Sequence, residues 1–345
     1  MTKNKDARPA TAAQPRLQMA DIARLAGVST GTVSRALSGS PLVNEETRTR
    51  IAELAKSLNY VVNVGAKNLR LGQNRTVAVV IPVDSETRQH LTDPFLLGIM
   101  GSIADALTER GYDMLLTRVD AERLDLAAEP VETGRAIGAI LVGQARHHDQ
   151  LNELAVRKMP IVVWGAHLDR QLYSVVGGDN RRGGYLATRH LLEIGRRRIA
   201  FLGDIGLAEV ALRYEGYQQA LAEFDLAPVP ALVQEVSFLP ESGGQAVDKM
   251  LEEQTAFDAI FACSDLLAMT AMVALHKQGI KVPADVSVIG YDDIQMAPHF
   301  NPPLTTVRQP IDQAGRALVE SLVALIGGDA PKPVLLETDL IVRAT

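Results

Sequence analysis

The sequence lacks the features of a secreted, membrane-spanning or disulfide-stabilised protein. It holds one cysteine, Cys263, so no intramolecular disulfide can form, which is typical of a reducing compartment. No apolar run approaches the ~20 residues of a membrane span. Residues 1–15 are polar and lack the apolar core of a signal peptide, so we expect a disordered tail. These absences predict a soluble cytoplasmic protein.

Motifs for catalysis and for cofactors are also scarce. The chain has no P-loop, no nucleotide-binding GxGxxG after a strand and no HExxH, and His147 and His148 are adjacent and poorly placed to share a metal. Residues 27–31 (GVSTG) match the hydrolase pattern G-x-S-x-G, but a helix precedes them where that chemistry needs a strand. We therefore expect neither an enzyme nor a cofactor or metal site.

Charge is distributed unevenly along the chain. Residues 1–75 carry 12 Lys/Arg and 5 Asp/Glu, a net charge of +7, whereas the rest carries 23 basic and 36 acidic residues, a net charge of −13. A basic segment followed by an acidic body favours phosphate binding at one end of the molecule.

The basic segment has the pattern of a helix-turn-helix over residues 19–37, MADIARLAGVSTGTVSRAL. Apolar residues at Ile22, Ala23, Leu25 and Ala26 predict a helical face, and Gly27 can end that helix in the left-handed conformation. Ser29 can cap a second helix whose Val33, Ala36 and Leu37 face the first. In such a motif the second helix enters the DNA major groove.

Residues 41–60 predict a third helix that closes the core of this domain. Asn44 is a candidate cap, Glu45 and Glu46 fall in the first turn, and an apolar stripe follows. The stripe consists of Ile51, Leu54, Ala55 and Leu58.

From residue 76 onward, apolar strands alternate with helices. Strands are predicted at 76–83, 112–117, 137–143 and 160–165, and a second series at 174–180, 199–204, before Phe238, at 257–263 and at 287–293. Continuous apolar strands separated by helices indicate parallel sheets covered on both faces. Two such series predict two doubly wound lobes with a cleft between their strand ends.

The sequence resembles the lactose-repressor (LacI/GalR) family of transcription regulators over nearly all of its length. The matching segments are DIARLAGVSTGTVSRALSG, NEETRTRIAELAKSLNYVVN, SVIGYDDI and PPLTTVRQP. The resemblance implies an all-α helix-turn-helix domain and an α/β body like the periplasmic sugar-binding proteins. No leucine heptads follow the body, so a homodimer on pseudo-palindromic operator DNA is expected.

The resemblance also implies which residues contact DNA. Thr30 and Gly31 occupy the two positions that chiefly select the operator, and because Gly31 has no side chain we infer that Arg35 carries much of the base recognition. Ser29, Thr32 and Ser34 are expected at phosphate or sugar. Residues 63–75 match a hinge helix and linker, whose Leu69 would enter the minor groove. The hinge DNA contacts implied are Asn63, Lys67 and Leu69.

Effector-binding positions can be transferred to the body in the same way. Asp292 follows a strand where ligands bind in such sheets, and a carboxylate and an aromatic ring suit a saccharide. Ser264 stands where the family usually has asparagine, so the chain lacks at this position the amide group that donates to and accepts from a ligand hydroxyl. The effector residues implied are Arg213, Phe238, Ser264, Asp265, Asp292 and Gln309, with Asp84, Asp93 and Phe95 as weaker candidates from the loop 83–95.

The expected domain boundaries follow from these segments. The helix-turn-helix domain spans 16–62, the hinge and linker 63–75, and the effector-binding and dimerisation domain 76–345. Within the last, the first lobe takes 76–163 and 306–329 and the second 164–303 and 333–345.

These features together predict a dimeric repressor of carbohydrate-utilisation genes, controlled by a small saccharide between the lobes. Two other regulators stay open: a purine-type repressor that needs a corepressor, and a catabolite regulator controlled by a protein partner. A sugar-binding protein or enzyme on the same fold is a further alternative, which the helix-turn-helix disfavours.

Overall fold

The structure is a computed structural model that describes residues 18–37, 39–58, 74–83 and 90–345. The chain divides into two compact units, within residues 1–73 and 74–345, which we call the head and the body. The predicted tail (1–15), the hinge contacts Asn63, Lys67 and Leu69, and Asp84 lie outside the described residues.

Three helices form the described part of the head: α1 (Met19–Ala26), α2 (Thr30–Leu37) and α3 (Glu45–Ser57). Ile22, Val33 and Ile51 are fully buried between them, so the predicted three-helix core is confirmed. Leu25 was expected on the same face, but 57% of it is exposed because it lies at the edge of the stripe formed by Ile22, Ala23 and Ala26.

The ends of these helices are formed by the residues that the sequence indicated. Gly27 ends α1 with φ of 66°, a left-handed conformation that glycine adopts without a steric penalty. The Ser29 hydroxyl accepts a hydrogen bond from the Thr32 amide (3.1 Å), and Asn44 Oδ1 accepts one from the Thr47 amide (2.8 Å).

The first lobe of the body is built on a six-stranded parallel sheet. Its elements are β1 (Thr76–Val83), α4 (Pro94–Glu109), β2 (Asp113–Asp120), α5 (Glu129–Glu132), β3 (Gly138–Val142), α6 (His148–Val156), β4 (Ile161–Trp164), β5 (Ser174–Gly178), α11 (Ile311–Ile326) and β11 (Val334–Leu336). The strand order is β11-β5-β4-β3-β1-β2. One face of the sheet packs on α4 and α11, and the other on α6, α5 and a 3-10 turn at Leu124–Ala128.

The second lobe is built on another six-stranded sheet. Its elements are α7 (Asn180–Glu193), β6 (Ile199–Leu202), α8 (Ala208–Glu223), β7 (Val233–Gln234), α9 (Pro240–Glu252), β8 (Ala259–Ala262), α10 (Asp265–Lys277), β9 (Ser287–Asp292), β10 (Thr305–Arg308) and β12 (Asp339–Ile341). The strand order is β12-β10-β9-β8-β6-β7, and all strands except β12 are parallel. Helices α7 and α8 cover one face of the sheet and α9 and α10 the other. Two doubly wound lobes are thus confirmed.

The assignment of strands to lobes differs from the sequence-based boundaries at three places. β5 pairs with β4 in the first sheet although 164–303 was given to the second lobe, because the connection 165–173 returns to the same sheet without a helix. β10 pairs with β9 in the second sheet, so that within 306–329 only α11 belongs to the first lobe. Residues 334–341 supply β11 to the first sheet and β12 to the second.

The chain therefore passes between the lobes at 178–180, 308–311 and 336–339. No helix in the described part of the chain is long and apolar enough to cross a membrane.

Candidate functional site

The exposed side of α2 carries the residues predicted to contact DNA. Thr30 and Arg35 are exposed, and Thr32 and Ser34 are partly exposed. The hydroxyls of Ser29 and Thr32 lie 2.9 Å apart, so both belong to the cap of α2 as well as to its outer surface. This surface presents hydroxyls and one guanidinium group, which suit phosphate oxygens and base edges.

Gly31 makes room for Arg35 on this surface. A Cβ atom at Gly31 would lie 3.7 Å from Nη2 of Arg35 and 3.7 Å from the Ser29 hydroxyl. The guanidinium group therefore lies along the glycine, one helical turn toward the start of α2. A larger side chain at this position would share the space with Arg35.

The body contains a cleft between the carboxyl ends of the strands of the two lobes, with a cavity of about 210 Å3. This is the place where ligands bind in open α/β sheets. Of the predicted effector residues in the described chain, all except Asp265 line the cleft: Arg213, Phe238, Ser264, Asp292 and Gln309, together with the weaker candidates Asp93 and Phe95.

Arg213 on α8 is fixed at the second-lobe wall of the cleft. Its Nε donates to Asn180 Oδ1 (2.8 Å) and its Nη1 donates to the Cys263 carbonyl (2.6 Å). The guanidinium carbon lies 3.7 Å from the centre of the Tyr291 ring. A buried cation held on three sides has little freedom left, so it can present its remaining donors to a ligand without loss of side-chain entropy.

Asp292 and Gln309 form a second polar pair where β9 and β10 end. Gln309 Nε2 donates to Asp292 Oδ1 (2.7 Å), and both residues are about 5% exposed. Burial raises the pKa of Asp292, and the nearby Arg213 opposes that rise. The backbone of Asp292 is strained, with φ of 119°, which is unusual for a residue with a side chain and often marks a binding site.

Aromatic rings line the other parts of the cleft. Phe95 at the start of α4 and Trp164 at the end of β4 have ring centres 6.4 Å apart, and Phe238 lies on the second lobe. Such rings pack well against the apolar faces of sugar rings. Trp164 was not predicted, although a lone tryptophan where a buried strand ends was a visible signal.

Polar residues also connect the two lobes across the cleft. Arg146 after β3 forms an ion pair with Asp204 after β6. Burial raises the pKa of Glu209 on α8, while the backbone amide of Gln144 in the first lobe lowers it by hydrogen bonding. None of these residues was predicted, because contacts between lobes leave no pattern in the local sequence.

Ser264 and Asp265 have different positions from those expected of an effector-binding pair. Ser264 reaches the cleft, but its hydroxyl accepts from the Leu267 amide (3.2 Å) and caps α10. Asp265 is fully buried and does not line the cleft. As the first residue of α10, it points its side chain back toward β9 and β10, so this geometry gives no support to its prediction as an effector contact.

Comparison with known proteins places both units. A model for bacterial regulatory proteins of the lacI family matches residues 18–63, and a periplasmic binding protein-like domain matches 188–345. The HTH-type transcriptional regulator CelR of Thermobifida fusca is 37% identical over 342 residues, which cover 96% of this chain and 98% of CelR. The HTH-type transcriptional repressor PurR of Haemophilus influenzae is 31% identical over 312 residues, covering 89% and 90%.

Solved structures agree with this match. A transcriptional regulator CelR–cellobiose complex superposes with a TM-score of 0.69 at 33% identity, covering 95% of this chain and 99% of the other. A lac repressor dimer bound to operator and the anti-inducer ONPF superposes with a TM-score of 0.83 at 27% identity, covering 95% and 98%.

Proposed function

The chain belongs to the LacI family of bacterial regulatory proteins, and on that premise we propose that it is a sugar-controlled repressor of carbohydrate-utilisation genes. The observation that carries the proposal is the combination, in one chain, of a three-helix head with an exposed α2 and a cleft that buries fixed polar groups. It binds operator DNA through the head and a small saccharide through the cleft.

In this proposal the head contacts DNA with the outer surface of α2. Arg35 and Thr30 contact base edges, since both are exposed. Ser29, Thr32 and Ser34 contact the backbone and set the register of the helix. Gly31 leaves the groove side of the helix open for Arg35. Asn63, Lys67 and Leu69 complete the contacts at the operator centre, as the family resemblance implies.

A neutral saccharide fits the chemistry of the cleft best. Asp292 and Arg213 supply a fixed acceptor and fixed donors for hydroxyl groups, and Phe95, Trp164 and Phe238 supply apolar faces. The structure of the relative CelR contains cellobiose, so a β-linked glucose disaccharide is the first candidate to test.

Control of DNA binding follows from a shift between two arrangements of the lobes. A ligand that contacts both walls of the cleft favours the arrangement in which the walls are close, and it shifts the population by its difference in affinity for the two arrangements.

The protein acts as a homodimer, for which the exposed Leu97 on α4 and Met114 and Leu116 on the edge strand β2 offer an apolar surface. It works in the cytoplasm and catalyses no reaction.

A purine corepressor is the second candidate, because PurR of Haemophilus influenzae is 31% identical. A corepressor would tighten operator binding, whereas an inducing sugar would weaken it. The two candidates therefore predict opposite signs in the same assay.

The test is a genomic DNA selection with the purified full-length protein at low salt, followed by titration of the selected duplex with cellobiose or with hypoxanthine. We expect a duplex with pseudo-palindromic symmetry, and an affinity that cellobiose lowers by tenfold or more. The matched variants are Arg35→Ala, expected to lose discrimination between sequences, and a chain truncated to residues 74–345, expected to lose binding. Retained sequence-specific binding by the truncated chain would contradict the assignment of the head.

A further inference from the structure

Asp265 connects the two chain segments that carry the cleft's polar pair. Its Oδ2 accepts a hydrogen bond from the Ile294 amide (2.8 Å), and its Oδ1 accepts one from the Thr306 hydroxyl (2.5 Å). Ile294 lies two residues after Asp292, and Thr306 lies three residues before Gln309. One buried carboxylate thus holds both segments.

The backbone at Asp292 needs such a support. Asp292 and Asp293 have φ angles of 119° and 56°, so two successive residues with side chains adopt left-handed conformations. Conformations of this kind are unfavourable for residues with a side chain and persist only where the surroundings enforce them. The hydrogen bond from Ile294 to Asp265 fixes the chain directly after the strained pair.

The packing around Asp265 is specific for this contact. A Cβ atom at Gly290 would lie 2.2 Å from Asp265 Oδ1, so only glycine allows the carboxylate to approach β9. Gly290 is paired with Thr306 in the register of β9 and β10. Asp265 itself is the first residue of α10, directly after the capping residue Ser264.

We propose that Asp265 is a positioning residue that holds Asp292 and Gln309 in the geometry required to bind the effector, without touching the effector itself. This rests on the proposed function of the cleft. It also explains why an acidic residue follows Ser264 in a place that the ligand does not reach. Loss of the carboxylate would release residues 292–294 and 306–309 together.

The test compares Asp265→Ala with Asp265→Asn in the full-length protein. The asparagine variant keeps an oxygen for the Ile294 amide and a polar group for Thr306, whereas the alanine variant loses both contacts. Two measurements are made: hydrogen–deuterium exchange of the effector-free protein, and calorimetric titration with cellobiose.

The matched control is Asp258→Ala. Asp258 also accepts hydrogen bonds from backbone amides, those of Arg197 and Arg198, but it lies at the opposite end of β8 from Asp265. This variant therefore measures the effect of losing a carboxylate that binds backbone amides at a site remote from the cleft.

We expect Asp265→Ala to exchange faster in peptides covering 291–296 and 304–309 and to bind cellobiose about tenfold or more weakly. We expect Asp265→Asn to stay within about threefold of wild type, and Asp258→Ala to leave both readouts of the cleft unchanged. Unchanged exchange in Asp265→Ala, or equal effects of Asp265→Ala and Asp258→Ala, would overturn the proposal.

A second variant and the exchange measurement test the proposal if Asp265→Ala does not fold or if cellobiose does not bind. If Asp265→Ala does not fold, Thr306→Val removes one of the two contacts, and it should speed exchange in 304–309; unchanged exchange there would refute the role of Asp265. If wild-type protein does not bind cellobiose, the choice of sugar fails, while the exchange measurement still decides whether Asp265 positions the two segments.

Discussion

At the scale of single residues, burial determines the chemistry of the titratable groups around the cleft. Asp265, Asp292, Glu209 and Cys263 all have raised pKa values because their charged forms lose solvation. Two measurable consequences follow.

The first consequence is a pH-dependent stability. Burial raises the pKa of Asp265 to about 7, whereas an unfolded aspartate titrates at about 3.9. The folded protein then holds a proton that the unfolded chain releases, so the free energy of unfolding falls as pH rises between about 4 and 7. We expect the urea midpoint of wild-type protein to fall more between pH 5 and pH 7.5 than that of Asp265→Asn. Equal falls would show that Asp265 is ionised throughout.

The second consequence concerns the thiol of Cys263. Burial raises its pKa to about 12, and the residue is inaccessible in the body. Because the thiolate is the reactive form, a thiol reagent at pH 8 should label the native protein at least about a thousandfold more slowly than the urea-unfolded protein. Since the chain has one cysteine, absorbance at the endpoint in urea should correspond to one thiol per chain. Rapid labelling without urea would place Cys263 near the surface.

At the scale of helices and strands, close helix packing depends on particular glycines. Gly243 and Gly244 are neighbours in α9, but a Cβ atom at Gly243 would lie 2.2 Å from the Leu267 carbonyl oxygen, whereas at Gly244 its nearest contact would be 3.5 Å away. The absence of a side chain at Gly243 therefore allows α9 to approach α10, the helix that begins with Asp265, whereas the absence of one at Gly244 does not affect this approach.

Alanine substitutions at these two positions should therefore have opposite effects. We expect Gly243→Ala to lower the free energy of unfolding by about 1–3 kcal/mol, because the backbone of α10 must move. Gly244→Ala should raise it by about 0.5–1 kcal/mol, because alanine favours the helix and has room. Urea unfolding of both variants measures the difference, and equal values would contradict the packing.

Helices and strands were predictable because each signal is local. The cap at Asn44, the glycine at the end of α1 and the apolar strands of the body all depend on neighbouring residues, and the structure confirms them. The lobe to which a strand belongs depends on its pairing partners, so β5, β10 and β11 were misassigned. Asn180 and Arg146 were missed for the same reason, since their partners Arg213 and Asp204 are distant in sequence.

At the scale of the whole body, an ion pair between Arg146 in the first lobe and Asp204 in the second connects the two walls of the cleft. It stabilises the arrangement in which the walls are close. Since Arg146 is half-exposed, the pair contributes at most about 1 kcal/mol.

Removing this pair should weaken effector binding modestly. We expect Arg146→Ala and Asp204→Asn each to lower cellobiose affinity about two- to fivefold, and the double variant to add little more. The control is Arg157→Ala, which removes an ion pair with Glu132 inside the first lobe and should not change the affinity. Additive effects in the double variant would show that the two residues act on the ligand separately.

The three crossings of the chain between the lobes affect how recombination can change such proteins during evolution. Neither lobe is a continuous stretch of sequence, since the first takes 74–178 and 311–336 and the second 180–308 and 339–341. A recombination event with one breakpoint inside the body therefore always joins a lobe from two parental genes. Ligand preference in such proteins should diversify by point substitution in the cleft walls more readily than by the exchange of whole gene segments.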